Sequence, residues 1–295
     1  MPALQAQLLV DCQNLLGECV LWNAVDRRVY WTDVYSCTLF SCNADGGELL
    51  ARALPDKLGS FAFDPDGNLL AAFAKGLFRM QLPSGRSERL TVFEPELERT
   101  RLNDGRCDRA GRFVVGGCHQ EYYNPVSSVI RYAGGDTAQR LISDVALSNG
   151  IAFSLDGRRM YFSDSETHIY HWYEYDSESG RLGARHVLTE IPKGQGFADG
   201  SAVDADDNLW NARYYGGIVQ QYHPDGREGL RVQLPTDCVT CVCFGGAELD
   251  TLFITTGCKD LKPEQRAAQP QAGGLFCVRP GVRGVPETRF AERLF

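Results

Sequence analysis

The sequence predicts an all-β fold, one six-bladed β-propeller with four antiparallel strands per blade, spanning residues 1–295. Three observations predict it. A loose unit, a short polar turn rich in Asp, Gly and Asn followed by a strand, recurs six times. The copies stand about one blade apart. Helical periodicity is nearly absent from the chain.

The copies begin at Trp22, Phe63, Cys107, Phe153, Val203 and Phe244, with offsets of 41, 44, 46, 50 and 41 residues. A unit of about 40–50 residues holding four strands is what a propeller blade requires, whereas β-sandwiches do not repeat at this period. Asp66-Gly67 and Asp156-Gly157 supply the positive φ of tight hairpin turns. The strands that follow, such as Arg112 to Val115 and Arg159 to Phe162, are mostly apolar. Second hairpins follow at Asp45-Gly46, Ser84-Gly85, Ser179-Gly180 and Asp225-Gly226. Lys262 to Ala268 is the one short helix expected. To close the fold, Leu8-Leu9-Val10 is expected to pair into the last blade beside Gly274 to Val278.

Composition narrows the function. The net charge is -8, and no Lys/Arg cluster offers the concentrated positive charge that nucleic-acid binding needs. No apolar run approaches the roughly 18 residues of a membrane span. The first residues show no basic region followed by an apolar stretch, so a cytoplasmic protein without a signal peptide is expected. Eleven cysteines, an odd number, are scattered along the chain and read as small apolar residues of a reducing compartment. Cys238, Cys241 and Cys243 lack the second ligand pair of a zinc site and are expected to be structural. Neither a Gly-x-Ser-x-Gly elbow nor a phosphate-binding loop is present.

Four residues before each copy lies an equivalent position, occupied by Glu18, Gly59, Asn103, Asn149, Asp199 and Thr240. Equivalent positions of a propeller share one height and radius about its channel. These six precede the recognised part of each unit and are expected on loops leading into the first strands. Oxygen donors of this kind suit hard divalent cations. Glu18 and Asp199 would supply charge and Asn149 a neutral oxygen. So few protein ligands would leave positions for water and substrate, as in a catalytic metal site.

Leu16-Gly17-Glu18 with Trp22, Arg101-Leu102-Asn103-Asp104-Gly105, Ser148-Asn149-Gly150, Asp199-Gly200-Ser201 and Cys243 to Gly246 together resemble the senescence marker protein/gluconolactonase/luciferin-regenerating-enzyme family of six-bladed propellers. The tail from Glu264 to Phe276 resembles its bacterial sugar-lactonase branch. The resemblance implies one divalent metal, with calcium, zinc, magnesium, manganese and iron all open, held by Glu18, Asn149 and Asp199. It implies a substrate pocket using Arg101, Asn103 and Glu121. The activity implied is hydrolysis of a small sugar lactone by a monomer or weak oligomer. L-arabinono-1,4-lactone, D-xylonolactone and gluconolactone are the candidates, the first as in L-arabinose degradation.

Asp199 is the expected general base, and Arg101 and Asn103 are expected to position the substrate. His119 is expected beside the site rather than in it, and His168 and His171 are read as structural. The chain departs from the family at Cys19-Val20, where Gly-Pro is usual, and at Gly117 to Glu121, where a Gly-Thr-Met-like run is usual. Two further readings stand beside the lactonase. One is a calcium-binding regulatory propeller without turnover. The other is an esterase for a non-sugar substrate, with Tyr122, Tyr123, Tyr214 and Tyr215 at the pocket mouth.

Overall fold

Each repeat folds as a four-stranded antiparallel sheet, and the six sheets make a six-bladed β-propeller in a computed structural model that describes residues 4–82 and 84–295. The innermost strands, blades 1 to 6, are Gly17–Asn23, Leu58–Phe63, Thr100–Cys107, Ser148–Phe153, Phe197–Val203 and Val239–Gly245. Burial falls outward through a blade. Leu58–Phe63 and Leu69–Phe73 of blade 2 are buried at every residue, whereas the outer strand Ser87–Arg89 is largely exposed. That gradient explains why the sequence shows continuous apolar runs, not strict alternation: an inner strand packs on both faces.

The chain divides into two compact units of three blades each. Met1–Ala53 with Leu188–Pro286 carries blades 1, 5 and 6; Leu54–Val187 with Glu287–Phe295 carries blades 2, 3 and 4. In each unit the core lies between consecutive blades. Trp31, Cys42, Cys241, Cys243 and Phe253 share one cluster of the first unit. Leu70, Leu102, Phe113 and Phe290 share one of the second. Cys241 and Cys243 therefore serve as the small apolar residues the sequence suggested. None of the eleven cysteines is in a disulfide. Among the described residues no helix is long and apolar enough to cross a membrane. The expected short helix is Pro263–Ala268.

The recurring Asp just after the inner strand has a specific task. Asp64 Oδ1 accepts the backbone N–H groups of Asp66 and Asn68 at 2.9 and 2.8 Å. Asp108 does the same for Ala110 and Arg112, and Asp204 for Asp206 and Asn208. These side chains satisfy the turn's own amides, so the hairpin forms without other partners. Gly67 and Gly157 take φ of +86° and +67° as their turns demand.

The N-terminal strand Gln7–Val10 pairs antiparallel with Leu275–Val278, with Leu8 opposite Phe276, and so completes blade 6 as expected. One pairing was not foreseen: Leu4–Gln5 adds a fifth, parallel strand to blade 5 along Glu228–Gln233. Nor was the C-terminal tail, which is pinned in the second unit by Phe290 N–H on Phe63 O, Leu294 N–H on Asp64 Oδ2 and the Arg106–Glu287 ion pair.

Candidate metal and substrate site

The six equivalent positions do not lie on loops leading into the first strands, as their place before the repeat suggested. Each lies inside its inner strand, at or within a break in register. The breaks fall between Glu18 and Leu21, Leu58 and Ser60, Leu102 and Gly105, Asn149 and Ala152, Ala198 and Ser201, and Val239 and Cys241. A bulge turns a side chain out of the regular alternation and strengthens local twist. The same defect repeated in six blades gives the five side chains at these positions an orientation that a regular strand would not allow, Gly59 having none. Gly150, after Asn149, has a φ of +67°. Cys19, after Glu18, has a φ of +46°, a conformation unfavourable for any residue with a Cβ.

In the second unit the bulges of blades 3 and 4 form one hydrogen-bonded group. Arg101 and Asn103 are 5% and 6% exposed, which excludes a surface ion pair for Arg101. Arg101 Nη1 donates to Asn103 Oδ1 at 2.6 Å and to Leu102 O at 3.0 Å. Asn103 Nδ2 donates to Ser148 O at 2.9 Å and to Asn149 Oδ1 at 3.0 Å. Asn149 Nδ2 donates to Ser165 Oγ at 2.9 Å. The Asn149 amide is thereby oriented, its oxygen held by Asn103 and its nitrogen by Ser165.

Asp104, the other residue of the blade 3 bulge, accepts the Ile151 N–H on Oδ2 at 2.8 Å. Burial pushes its carboxyl above the usual range, against Arg106 and the amides of Ile151, Gly105 and Gly150. A Cβ on Gly150 would meet the Tyr170 hydroxyl at 2.3 Å, so the left-handed turn there admits only glycine.

Blades 5 and 1 carry the two carboxylates, and blade 6 Thr240, within the first unit. Asp199 is 5% exposed; its Oδ1 accepts the Gly200 N–H at 3.0 Å, and its carbonyl accepts Asn211 Nδ2 at 2.6 Å. Glu18 is partly exposed at the start of Gly17–Asn23. Thr240 is fully buried, and its hydroxyl donates to Gly17 O.

Two supports of this site escaped the sequence reading. Asp33 accepts the Leu15 and Leu16 N–H groups at 2.9 and 3.0 Å. Asp164 accepts those of Ala146 and Leu147 at the same distances. Each holds the approach to an inner strand, one bearing Glu18 and the other Asn149. The signal was present, since Trp22–Asp33 and Phe153–Asp164 both end on Asp, but nothing in a linear repeat says which amides such an Asp faces.

Glu121 stands apart from the buried group. It lies in a turn after Phe113–His119 and pairs with Arg99, with side-chain exposures of 48% and 60%. His119 supports that turn: its Nδ1 accepts the N–H groups of Glu121 and Tyr122 at 3.3 and 3.2 Å, and its ring stacks on Tyr122. Tyr122, Tyr123 and Tyr215 are exposed, and Tyr214 donates its hydroxyl to Asp260.

Among the described residues no three His, Cys, Asp or Glu side chains are grouped to hold a metal. Glu18 and Asp199 offer carboxylate oxygens in the first unit and Asn149 a carboxamide oxygen in the second. Such oxygen-only donors fit a hard divalent cation, and the fixed carbonyl of Asn149 agrees with that chemistry.

A family model described as SMP-30/Gluconolactonase/LRE-like region matches residues 16–258. The chain is 38% identical over 295 residues to an L-arabinolactonase of Azospirillum brasilense, covering 98% of this chain and 97% of that protein. It is 34% identical over 279 residues to a 6-deoxy-6-sulfogluconolactonase of Pseudomonas putida, covering 94% and 96%. Among solved structures it is similar to a calcium-binding protein, regucalcin, from Agrobacterium tumefaciens. The TM-score is 0.94 at 26% identity, covering 99% of this chain and 100% of that one. With Arg101 and the bulge-borne Glu18, Asn103, Asn149 and Asp199 all inside the matched span, the chain belongs to the SMP-30/gluconolactonase/LRE-like family.

Proposed function

We propose that this protein hydrolyses a small sugar lactone to its aldonic acid, using one divalent cation held by Glu18, Asn149 and Asp199. The buried Arg101–Asn103–Asn149 group is the observation that carries this reading, because it joins a cationic donor to an oriented oxygen ligand. The cation would act as a Lewis acid on the lactone carbonyl, where negative charge develops. Asp199 takes the proton of the attacking water as general base. Arg101 donates to substrate oxygens. Asn103 positions the substrate beside Arg101 and, through its amide on Ser148 O and Asn149 Oδ1, holds Asn149 in place. Glu121 and Tyr122, on the exposed turn next in the strand order, contact substrate hydroxyls and the sugar face.

The substrate class is an aldonolactone of five or six carbons. This follows from similarity to an L-arabinolactonase and a 6-deoxy-6-sulfogluconolactonase. Acid release from L-arabinono-1,4-lactone, D-xylonolactone and gluconolactone, with and without chelator, tests it. Activity lost with chelator and restored by a divalent salt is expected. Asp199→Asn should lower kcat about 100-fold or more, the usual worth of a general base. No hydrolysis of any of the three by the metal-loaded protein would refute the reading. Similarity to a calcium-binding regucalcin favours a second reading, calcium binding without turnover. Calcium bound tightly by a protein inert toward every lactone would establish it.

A further inference from the structure

Two non-ligand positions in the series share one contact. Asn103 Nδ2 donates to Ser148 O, the carbonyl just before Asn149. Thr240 Oγ1 donates to Gly17 O, the carbonyl just before Glu18. In both cases a bulge residue of one blade grips the following blade one residue ahead of its ligand position. Gly59 has no side chain to make such a grip and no room for one: a Cβ there would meet Leu102 O, the carbonyl just before Asn103, at 2.6 Å. The contact therefore occurs at two of the six equivalent places, once from an amide and once from a hydroxyl.

We infer that Thr240 is a positioning residue that sets the direction of Glu18, as Asn103 does for Asn149. This rests on the reading of Glu18 as a metal ligand. The bulge of blade 1 has particular need of it. Glu18 is followed by Cys19 at a φ of +46°, where the corresponding bulge of blade 4 has Gly150 at +67°. A residue with a Cβ keeps such a conformation only where its surroundings over-determine it. Two of those surroundings are on hand. Asp33 holds the Leu15 and Leu16 amides, upstream. Thr240 holds Gly17 O, immediately before Glu18. Thr240 is itself fixed, being fully buried with its Oγ1 3.0 Å from Thr255 Oγ1. Gly17 cannot carry a side chain in its place, since a Cβ would meet Thr256 O at 2.8 Å.

The test is calorimetric titration of the full chain with calcium, manganese and zinc in turn, together with thermal unfolding. Thr240→Val removes the hydroxyl at nearly constant volume, and Thr240→Ser retains it. Thr240→Ala takes the place of Thr240→Val should the latter fail to fold. Loss of the hydroxyl is expected to raise the Kd on the order of tenfold, the usual effect of losing a partner that orients a metal ligand. Thr240→Ser should restore the wild-type value. Glu18→Gln serves as control. Weakened metal binding in Glu18→Gln but unchanged Kd in the hydroxyl-free variant would overturn the role of Thr240 alone, whatever the change in melting temperature. Unchanged binding in Glu18→Gln, or no metal bound by the wild type, would overturn the ligand reading and this inference with it.

Discussion

Asn103→Asp exchanges one NH2 for one oxygen and nearly conserves volume, yet the structure requires it to destabilise the protein. The wild-type amide donates twice, to Ser148 O and Asn149 Oδ1, and accepts once from Arg101. The carboxylate keeps the Arg101 bond and strengthens it by about 1–2 kcal/mol, as an ionic partner replaces a neutral one. Both donations become oxygen–oxygen contacts near 3 Å, and each buried acceptor deprived of its donor costs about 1–3 kcal/mol. The net loss is about 0–5 kcal/mol, and about 2–3 kcal/mol at the middle of these ranges. Urea unfolding followed by the fluorescence of the four tryptophans measures it. The sign with pH follows from the same contacts. Burial and two facing acceptors together outweigh Arg101 in disfavouring the charged form, so the folded-state pKa of the new carboxyl lies above its unfolded value. Its stability contribution is then intact below the unfolded pKa and lost as pH rises through the folded one, so the deficit against wild type widens with pH. A variant within about 0.5 kcal/mol of wild type at neutral pH, with no widening, would refute the hydrogen-bond assignment at the centre of the site.

Burial, ahead of all other causes, pushes the Cys12 thiol up to about 11 and that of Cys42 to about 12. At pH 8 only about one thiol in a thousand at Cys12 is then ionised, and fewer at Cys42, so iodoacetamide should leave both unmodified until denaturant is added, with labelling rising about tenfold per pH unit. Native labelling of either at the unfolded rate, read by mass spectrometry, would contradict it. Deleting the chain through Val10 removes the outer strand of blade 6 and the parallel strand on blade 5. The lost packing of half-buried Leu8, Leu9 and Val10 should cost on the order of 3–6 kcal/mol in urea unfolding; unchanged stability would deny these strands any part in holding the blades.

The linear sequence determined the blade count, the turn positions, the closing strand Gln7–Val10 and the oxygen chemistry of the six repeated positions. Each of these is written in local spacing: hairpins close within a few residues, and apolar runs mark strands buried on both faces. Residue spacing carries no record of hydrogen-bond direction. Only the tertiary structure decided that Glu18, Asn149 and Asp199 sit in strand bulges, not loops, because a bulge is a mismatch against the partner strand. The partners of Asp33 and Asp164 exist only once their own blade folds, and those of Asp104 and Thr240 only once blades pack. A side chain in one blade then meets a carbonyl or amide of the next, up to 223 residues away in the chain. Glu121 shows the same division. Its acidic chemistry was legible, but its exposed pairing with Arg99 was set by a turn that His119 braces.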